Sequence, residues 1–182
     1  FASDGDTVLI LRNGYFSYRW TDIIEQVTRS LGAKAIVAQA EVKKHNGDRW
    51  PRVQPMAIEE VEKLIEKHKP RVVFAPHVET STGVELPAEY VKRIGEATRK
   101  FSDGIFVLDG IAAGTTWIDT KSNLVDAYIT APQKGWSAPA CVGVVILNER
   151  GEKAARGTDS VGSASDSMAL NLRKWLEVSD AY

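Results

Sequence analysis

An α/β fold, with a mostly parallel sheet covered by helices on both faces, is predicted by three features of this 182-residue chain. Short runs of Val, Ile and Leu alternate with segments of helical periodicity. Several of those runs are apolar at consecutive positions, as in TVLIL and RVVFA, which suits strands buried on both faces. Gly, Pro and Asn punctuate the junctions between segments.

The elements follow in order. Thr7 to Leu11 is a strand closed by the turn residues Arg12, Asn13 and Gly14. A helix is expected from near Phe16 to Leu31, where Ile23, Ile24, Val27 and Leu31 share a face, with Gly32 as its stop. Ala35 to Ala38 is a second strand, and Glu41 to Pro55, polar and holding two prolines, is a surface connection. Ile58, Val61, Leu64 and Ile65 mark a charged helix over Ile58 to His68, ended by Pro70. Arg71 to Ala75 is a strand leading into a hydroxyl-rich loop, PHVETSTGVELP, in which Gly83 is free to take an unusual backbone angle. Ala88 to Phe101 is an amphipathic helix, and Ile105 to Leu108 a strand ending at the carboxylate of Asp109. Asp126 to Thr130 and Val142 to Leu147 are two further strands around a turn that carries Lys134. Gly157 to Ser167 reads as a loop, and Met168 to Val178 as the start of a last helix. Residues 1–150 form the expected ligand-binding core, and 151–182 a connection leading toward a further domain.

Composition excludes several classes. Lys plus Arg number 23 and Asp plus Glu 24, a net charge of −1, so there is no basic excess to meet nucleic-acid phosphates. No apolar run reaches the roughly 18 residues of a membrane span. The single cysteine, Cys141, allows no intrachain disulfide and points to a reducing compartment such as the cytoplasm. The opening FASDGD reads as the interior of a longer chain.

Parallel sheets bind ligands beyond the carboxyl ends of their strands. Lys134 sits where a strand leaves the sheet, among the small residues Gly135, Ser137, Ala138, Pro139, Ala140 and Gly143. A lysine desolvated in so tight a site has its ammonium form disfavoured and acts as a neutral amine, forming a Schiff base or moving a proton. A surface lysine is the plainer alternative. Asp109, at the mouth of the sheet, needs a cationic or hydrogen-bonding partner, and a protonated pyridine nitrogen is one candidate; capping of the next turn is the other reading. His77 and Glu79 are too few for a metal site, and Thr80 and Ser81 are candidate donors to a ligand oxygen or simple turn stabilisers. Phe16 offers a stacking face for a flat heteroaromatic ligand, and Ile111, two residues after Asp109, the opposite apolar contact.

In GDTVLILRNGYFSYR, PHVETSTGVELP, VLDGIAAGTTWID and DAYITAPQKGWSAPACVGVVIL, over roughly residues 4 to 150, the chain resembles the class V, fold type I pyridoxal-phosphate aminotransferases, nearest the alanine–glyoxylate and serine–glyoxylate (serine–pyruvate) group. The resemblance implies a pyridoxal 5'-phosphate enzyme that moves an amino group from a small amino acid, alanine or serine, to a 2-keto acid, glyoxylate or pyruvate, and that works as a homodimer. It makes Lys134 the lysine joined covalently to the cofactor and Asp109 the partner of the pyridine nitrogen. Phe16 takes the stacking position, Thr80 a place near the phenolic oxygen, and Gln133 one near the phosphate. Gly110 stands where the group often has serine. The turn that holds the cofactor phosphate and the arginine that binds the substrate carboxylate are expected outside these residues.

Three rivals differ in what they require. A cysteine desulfurase or related lyase of the same fold needs a reactive thiol, whereas Cys141, at an apolar strand entry, reads as structural. A non-catalytic α/β binding fragment would have no use for Asp109, Gln133 and Lys134. A flavodoxin-like or dinucleotide-binding domain wants a glycine-rich loop after its first strand, and LILRNGYF has one glycine.

Overall fold

A computed structural model describes residue 2 and residues 5–27, 32–44, 46–47, 49–157 and 171–182. The chain runs through β1 (Thr7–Arg12), α1 (Tyr15–Asp22) with a π-helical turn at Ile23–Val27, β2 (Lys34–Gln39), β3 (Glu41–Lys43), β4 (Arg52–Gln54), α2 (Ile58–His68), β5 (Val72–Pro76), β6 (Val78–Glu79), β7 (Val84–Glu85), α3 (Ala88–Phe101), β8 (Ile105–Asp109), β9 (Ala127–Thr130), β10 (Val144–Leu147), α4 (Glu149–Arg156) and α5 (Leu172–Asp180). The main sheet has the order β10-β9-β8-β5-β1-β2, parallel throughout except for β10, which runs antiparallel on the edge beside β9.

Two-residue periodicity sends alternate side chains of each strand to opposite faces. Leu9, Leu11, Val73, Ala75, Phe106 and Leu108 pack on one face against Val61 and Ile65 of α2 and Val91 and Ile94 of α3. Val8, Ile10, Val72, Ile105 and Val107 pack on the other, with Ile24, Trp20 and Ala154. Both faces are thus apolar, which is why the strands read as continuous Val/Ile/Leu runs. Each fully buried side chain of this kind contributes roughly 1.5–3 kcal/mol relative to exposure. Helix α2 ends at Lys69, which takes a left-handed φ of 45° one residue before Pro70. Arg93 of α3 ties the helix pair together by a fork to Glu62 at 2.7 and 2.8 Å and a further bond to Glu59 at 2.7 Å.

The departures from expectation have local causes. The first helix turns π-helical at Ile23, and Leu31 lies outside the described residues. The connection over 41–55 contains the antiparallel pair β3 and β4, whose residues are exposed or half-buried, so no buried-face alternation marks them. The loop after β5 holds the small pair β6 and β7, with Gly83 at φ 72° as expected of its turn. No helix joins β8 to β9: residues 110–126 are turns. The loop expected over Gly157 to Ser167 lies outside the described residues after Gly157, as does the start of the last helix, whose described part is α5.

A polar lock closes the amino end of β8 and β9. Asp126 is wholly buried and accepts from Arg99 Nη2 (2.7 Å), Asn148 Nδ2 (2.9 Å) and the backbone N–H of Phe106 (2.9 Å), with Arg150 Nε 3.6 Å away. Removing one side of a buried, hydrogen-bonded ion pair leaves the other uncompensated. Asp126→Ala is therefore expected to lower unfolding stability by roughly 3–5 kcal/mol, as measured by urea denaturation, without a change in the composition of the site described below.

Candidate active site

Going along the chain, the sheet grows from β1 to β2 on one side and then from β1 to β5 on the other, so the direction of winding reverses between β1 and β5. A cavity of about 230 Å³ opens at this reversal, beyond the carboxyl ends of the strands. Its walls come from α1 (Phe16, Arg19, Trp20) and the π-helical turn after it (Ile23), from the end of β5 and the loop after it (Pro76, Val78, Thr80), from the end of β8 and the turn after it (Asp109, Ile111, Ala112), and from Lys134 after β9.

The position of α1 is set by a carboxylate from another loop. The helix begins at Gly14 with no side-chain cap of its own. Glu79, 1% exposed, supplies one: its oxygens accept from the backbone N–H groups of Ser17 (2.9 Å) and Phe16 (3.3 Å), the hydroxyl of Ser17 (2.7 Å) and the hydroxyl of Ser81 (2.6 Å). Ser81 Oγ in turn accepts from the N–H of Tyr15 at 2.8 Å. A negative charge at a helix N-terminus meets both unsatisfied N–H groups and the positive end of the helix dipole. Burial alone would raise the Glu79 carboxyl, but the hydrogen bonds from Ser81, Ser17 and Phe16 outweigh it and hold the group below its ordinary value. The HVETS loop thus clamps helix α1 through Glu79 and Ser81.

With α1 held, Phe16, Arg19, Trp20 and Ile23 fall at i, i+3, i+4 and i+7 and line one stripe toward the cavity. Trp20 stacks on Phe74 with ring centroids 4.5 Å apart and an interplanar angle of 18°. Its indole Nε1–H donates to Asp109 Oδ2 at 3.4 Å, and the N–H of Ile111 donates to Asp109 Oδ1 at 3.0 Å. Burial pushes the Asp109 carboxyl up; these two hydrogen bonds oppose the shift, and the negative charge of Glu79 adds to it. This carboxylate forms no ion pair among the described residues, and a protonated heteroaromatic nitrogen would supply a cation.

Two glycines allow the turns to meet. A side chain at Gly135, beside Lys134, would run into the backbone of Gly114, so the lysine turn docks directly on the turn after Asp109. A side chain at Gly110 would collide with the ring and hydroxyl of Tyr128 on β9. The phenol of Tyr128 thus occupies the room that a serine at position 110 would need. Asn13 and His77, which follow β1 and β5, are 2% and 3% exposed. Burial holds the His77 imidazole below its usual range, with the charge of Glu85 opposing.

Of the six residues singled out in the sequence, Phe16, Thr80, Asp109, Ile111 and Lys134 share the cavity. Gln133 does not line it and points to solvent. Lys134 is itself exposed, as is the whole of 133–143, which corrects the expectation of a desolvated lysine in a tight site: among the described residues the small side chains of this stretch leave an open surface. Cys141 is exposed too, and so is not the structural cysteine expected. Ile23, expected on the apolar face with Ile24, instead borders the cavity, and Trp20 and Arg19, at helical spacing from Phe16, join it there.

The class-V aminotransferase family model matches residues 17–182. The chain belongs to the class-V aminotransferase family. Serine–glyoxylate aminotransferase of Methylorubrum extorquens is 30% identical over 155 residues, which are 84% of this chain and 35% of that protein. The crystal structure of ureidoglycine–glyoxylate aminotransferase from Bacillus subtilis superposes with a TM-score of 0.71 at 31% identity, covering 91% of this chain and 39% of that one. That of alanine–glyoxylate aminotransferase from Nostoc sp. gives 0.69 at 25% identity, covering 89% and 39%. The chain thus spans about a third of the length of the curated relatives it matches. No helix among the described residues is long and apolar enough to cross a membrane.

The two carboxylates of the site respond to pH in opposite senses. Glu79, depressed below 4.5, contributes stability that is present above about that pH and is lost as pH falls below it. Glu79→Gln is expected to cost about 2 kcal/mol at pH 7, with the gap from the parent narrowing in acid unfolding below pH 4.5. Asp109, raised above 3.8, favours folding below that pH and opposes it as pH rises past it. The cofactor-free Asp109→Asn protein is expected to unfold at higher denaturant than its parent at pH 7, and the two midpoints to converge near pH 3.

Proposed function

We propose that the protein carrying this chain transfers an amino group from a small amino acid, alanine or serine, to a 2-keto acid, glyoxylate or pyruvate, using pyridoxal 5'-phosphate. The observation that supports this most is the pairing, across one cavity, of a half-buried carboxylate that forms no ion pair among the described residues, Asp109, with a reachable lysine, Lys134, between the faces offered by Phe16 and Ile111. That donor set fits a flat, protonated heteroaromatic ring with a carbonyl on it. The relatives named above, all glyoxylate aminotransferases, support the acceptor.

When bound, the cofactor supplies an electron sink for the carbanion formed at the substrate α-carbon. The chain's residues do the rest. Asp109 holds a proton on the ring nitrogen, and the Trp20 indole and Ile111 N–H keep its carboxylate aimed there. Lys134 Nζ would be the amine that holds the cofactor and, when free, would take the substrate α-proton and return it. Phe16 and Ile111 would fix the plane of the ring and Thr80 would donate toward its phenolic oxygen, while Gln133, outside the cavity lining, would meet the phosphate only by turning in from solvent. Exposure of Lys134 suits its reach to an incoming amine. Residues 1–150 act as the cofactor-binding core, with 151–182 leading onward; homodimerisation and a cytoplasmic or peroxisomal location belong to the same proposal.

A desulfurase-type lyase needs a thiol at the reacting carbon, and Cys141, though exposed, is not among the cavity's lining residues. In the full-length protein, borohydride reduction after loading with pyridoxal phosphate is expected to leave the cofactor's mass on the peptide containing Lys134. Lys134→Ala is expected to lose that adduct, the near-visible absorption band and at least about 10³-fold in turnover, the scale of losing a covalent and proton-transfer group together. Retention of both adduct and band in the variant would refute the assignment.

A further inference from the structure

We infer that His77 makes the clamp on α1 sensitive to mild acid: when its imidazole takes up a proton, the loop over residues 78–85 swings away from α1 and the cavity loses one wall. The device belongs to the fold and acts whatever the cavity binds.

His77 stands at the neck of that loop. Its backbone carbonyl accepts from the N–H of Leu86 at 2.8 Å, and its own N–H donates to the carbonyl of Asp109 at 2.8 Å. These main-chain bonds pin the residue between the end of β8 and the end of the loop, with its side chain 3% exposed. The ring makes no hydrogen bond among the described residues, and its Nδ1 is buried without a partner. A neutral imidazole already gives up water there. An imidazolium gives up far more, since both ring nitrogens are then donors that need acceptors. Around the loop, charged groups stand on β1 (Arg12), α1 (Arg19), β6 (Glu79), β7 (Glu85), α3 (Glu89) and β8 (Asp109), and Glu85 is the one whose charge bears on the ring. Glu85 is exposed, and a screened charge offsets little of the desolvation.

Relief comes by exposing the ring, and the loop is the part that yields. Its strands, β6 and β7, are two residues each, and Thr80, Ser81, Gly83 and Glu85 are exposed. Segments with so few buried contacts open locally at a fraction of the global cost. The open loop takes its proton near the usual imidazole value of 6.5, and the closed loop only at lower pH. The closed state is therefore favoured in full above that value, and opening gains up to about tenfold per pH unit as pH falls below it. The same loop carries Glu79 and Ser81, whose bonds to Ser17, Phe16 and Tyr15 hold the start of α1. Because α1 has no side-chain cap of its own, it loosens with the loop, and Phe16 and Trp20 leave the cavity wall. Glu79 stays charged throughout, since its carboxyl is held below 4.5.

Hydrogen exchange of the full-length protein, read by mass spectrometry with the intrinsic pH dependence of exchange divided out, measures the opening. Between about pH 7.5 and about pH 5.5, protection of peptides over residues 14–22 and 78–85 is expected to fall together by at least about tenfold, while that of α3 holds. In His77→Gln the fall is expected to vanish. Protection of α1 that ignores pH in the parent overturns the inference, as does an equal fall in His77→Gln or in α3. Where His77→Gln does not fold, the parent decides alone. Deuteration of the His77 imidazole at C2, followed against pH, gives the titration midpoint of the ring, which is expected to coincide with the midpoint for loss of α1 protection; separate midpoints overturn the inference. These readings need neither cofactor nor substrate, so they stand or fall apart from the aminotransferase reading.

Discussion

The site depends on one buried carboxylate that belongs to neither cofactor nor substrate chemistry. Glu79 reaches from the loop after β5 to the start of α1 and takes up N–H and O–H donors that the helix itself leaves open. Since β1 and β5 flank the point where the sheet reverses its winding, this contact joins the two sides of the crevice. It fixes the rotation of α1 about its axis, and that rotation decides which of its side chains face the cavity. A helix of two turns has little stability of its own, so an external cap of this strength determines where it sits.

Asp109 is the counterpart. The surroundings satisfy Glu79 with donors and leave Asp109 short of them, so two carboxylates in one crevice are driven in opposite directions. Asp109 is held in an environment that disfavours its charge until a cation arrives, which is the electrostatic condition for binding a protonated ring nitrogen tightly. The cost of that arrangement is offset by the two apolar layers and by the Asp126 lock at the far end of the same strands. Stability is concentrated at the amino end of β8 and β9, and unsatisfied chemistry at the carboxyl end.

Fold class and element order were legible because each central strand is apolar on both faces and each long helix has a clear stripe. Ala88–Phe101 appears in the structure with the boundaries expected of it. The antiparallel course of β10, the β3–β4 pair and the π-helical turn were not legible: a short exposed strand carries no periodicity, and direction in a sheet depends on partners remote in sequence. Among the site residues, Asp109 and Lys134 stood out as polar groups at the ends of apolar runs. Glu79 did not, because a carboxylate that caps a distant helix looks in sequence like any loop glutamate. Trp20 and Arg19 were within reach of helical spacing from Phe16.

The sequence by itself determined an α/β sheet with both faces buried, the class-V aminotransferase pattern of motifs, and the polar residues that stand at strand ends, since all of these rest on local spacing and residue type. Tertiary structure alone decided that Glu79 anchors α1, that Tyr128 fills the room beside Gly110, that Gly135 docks on Gly114, and that Lys134 and its neighbours lie open. Each of these is a contact, or the lack of one, between segments tens of residues apart or across a loop, and close packing between such segments leaves no periodic trace in the chain.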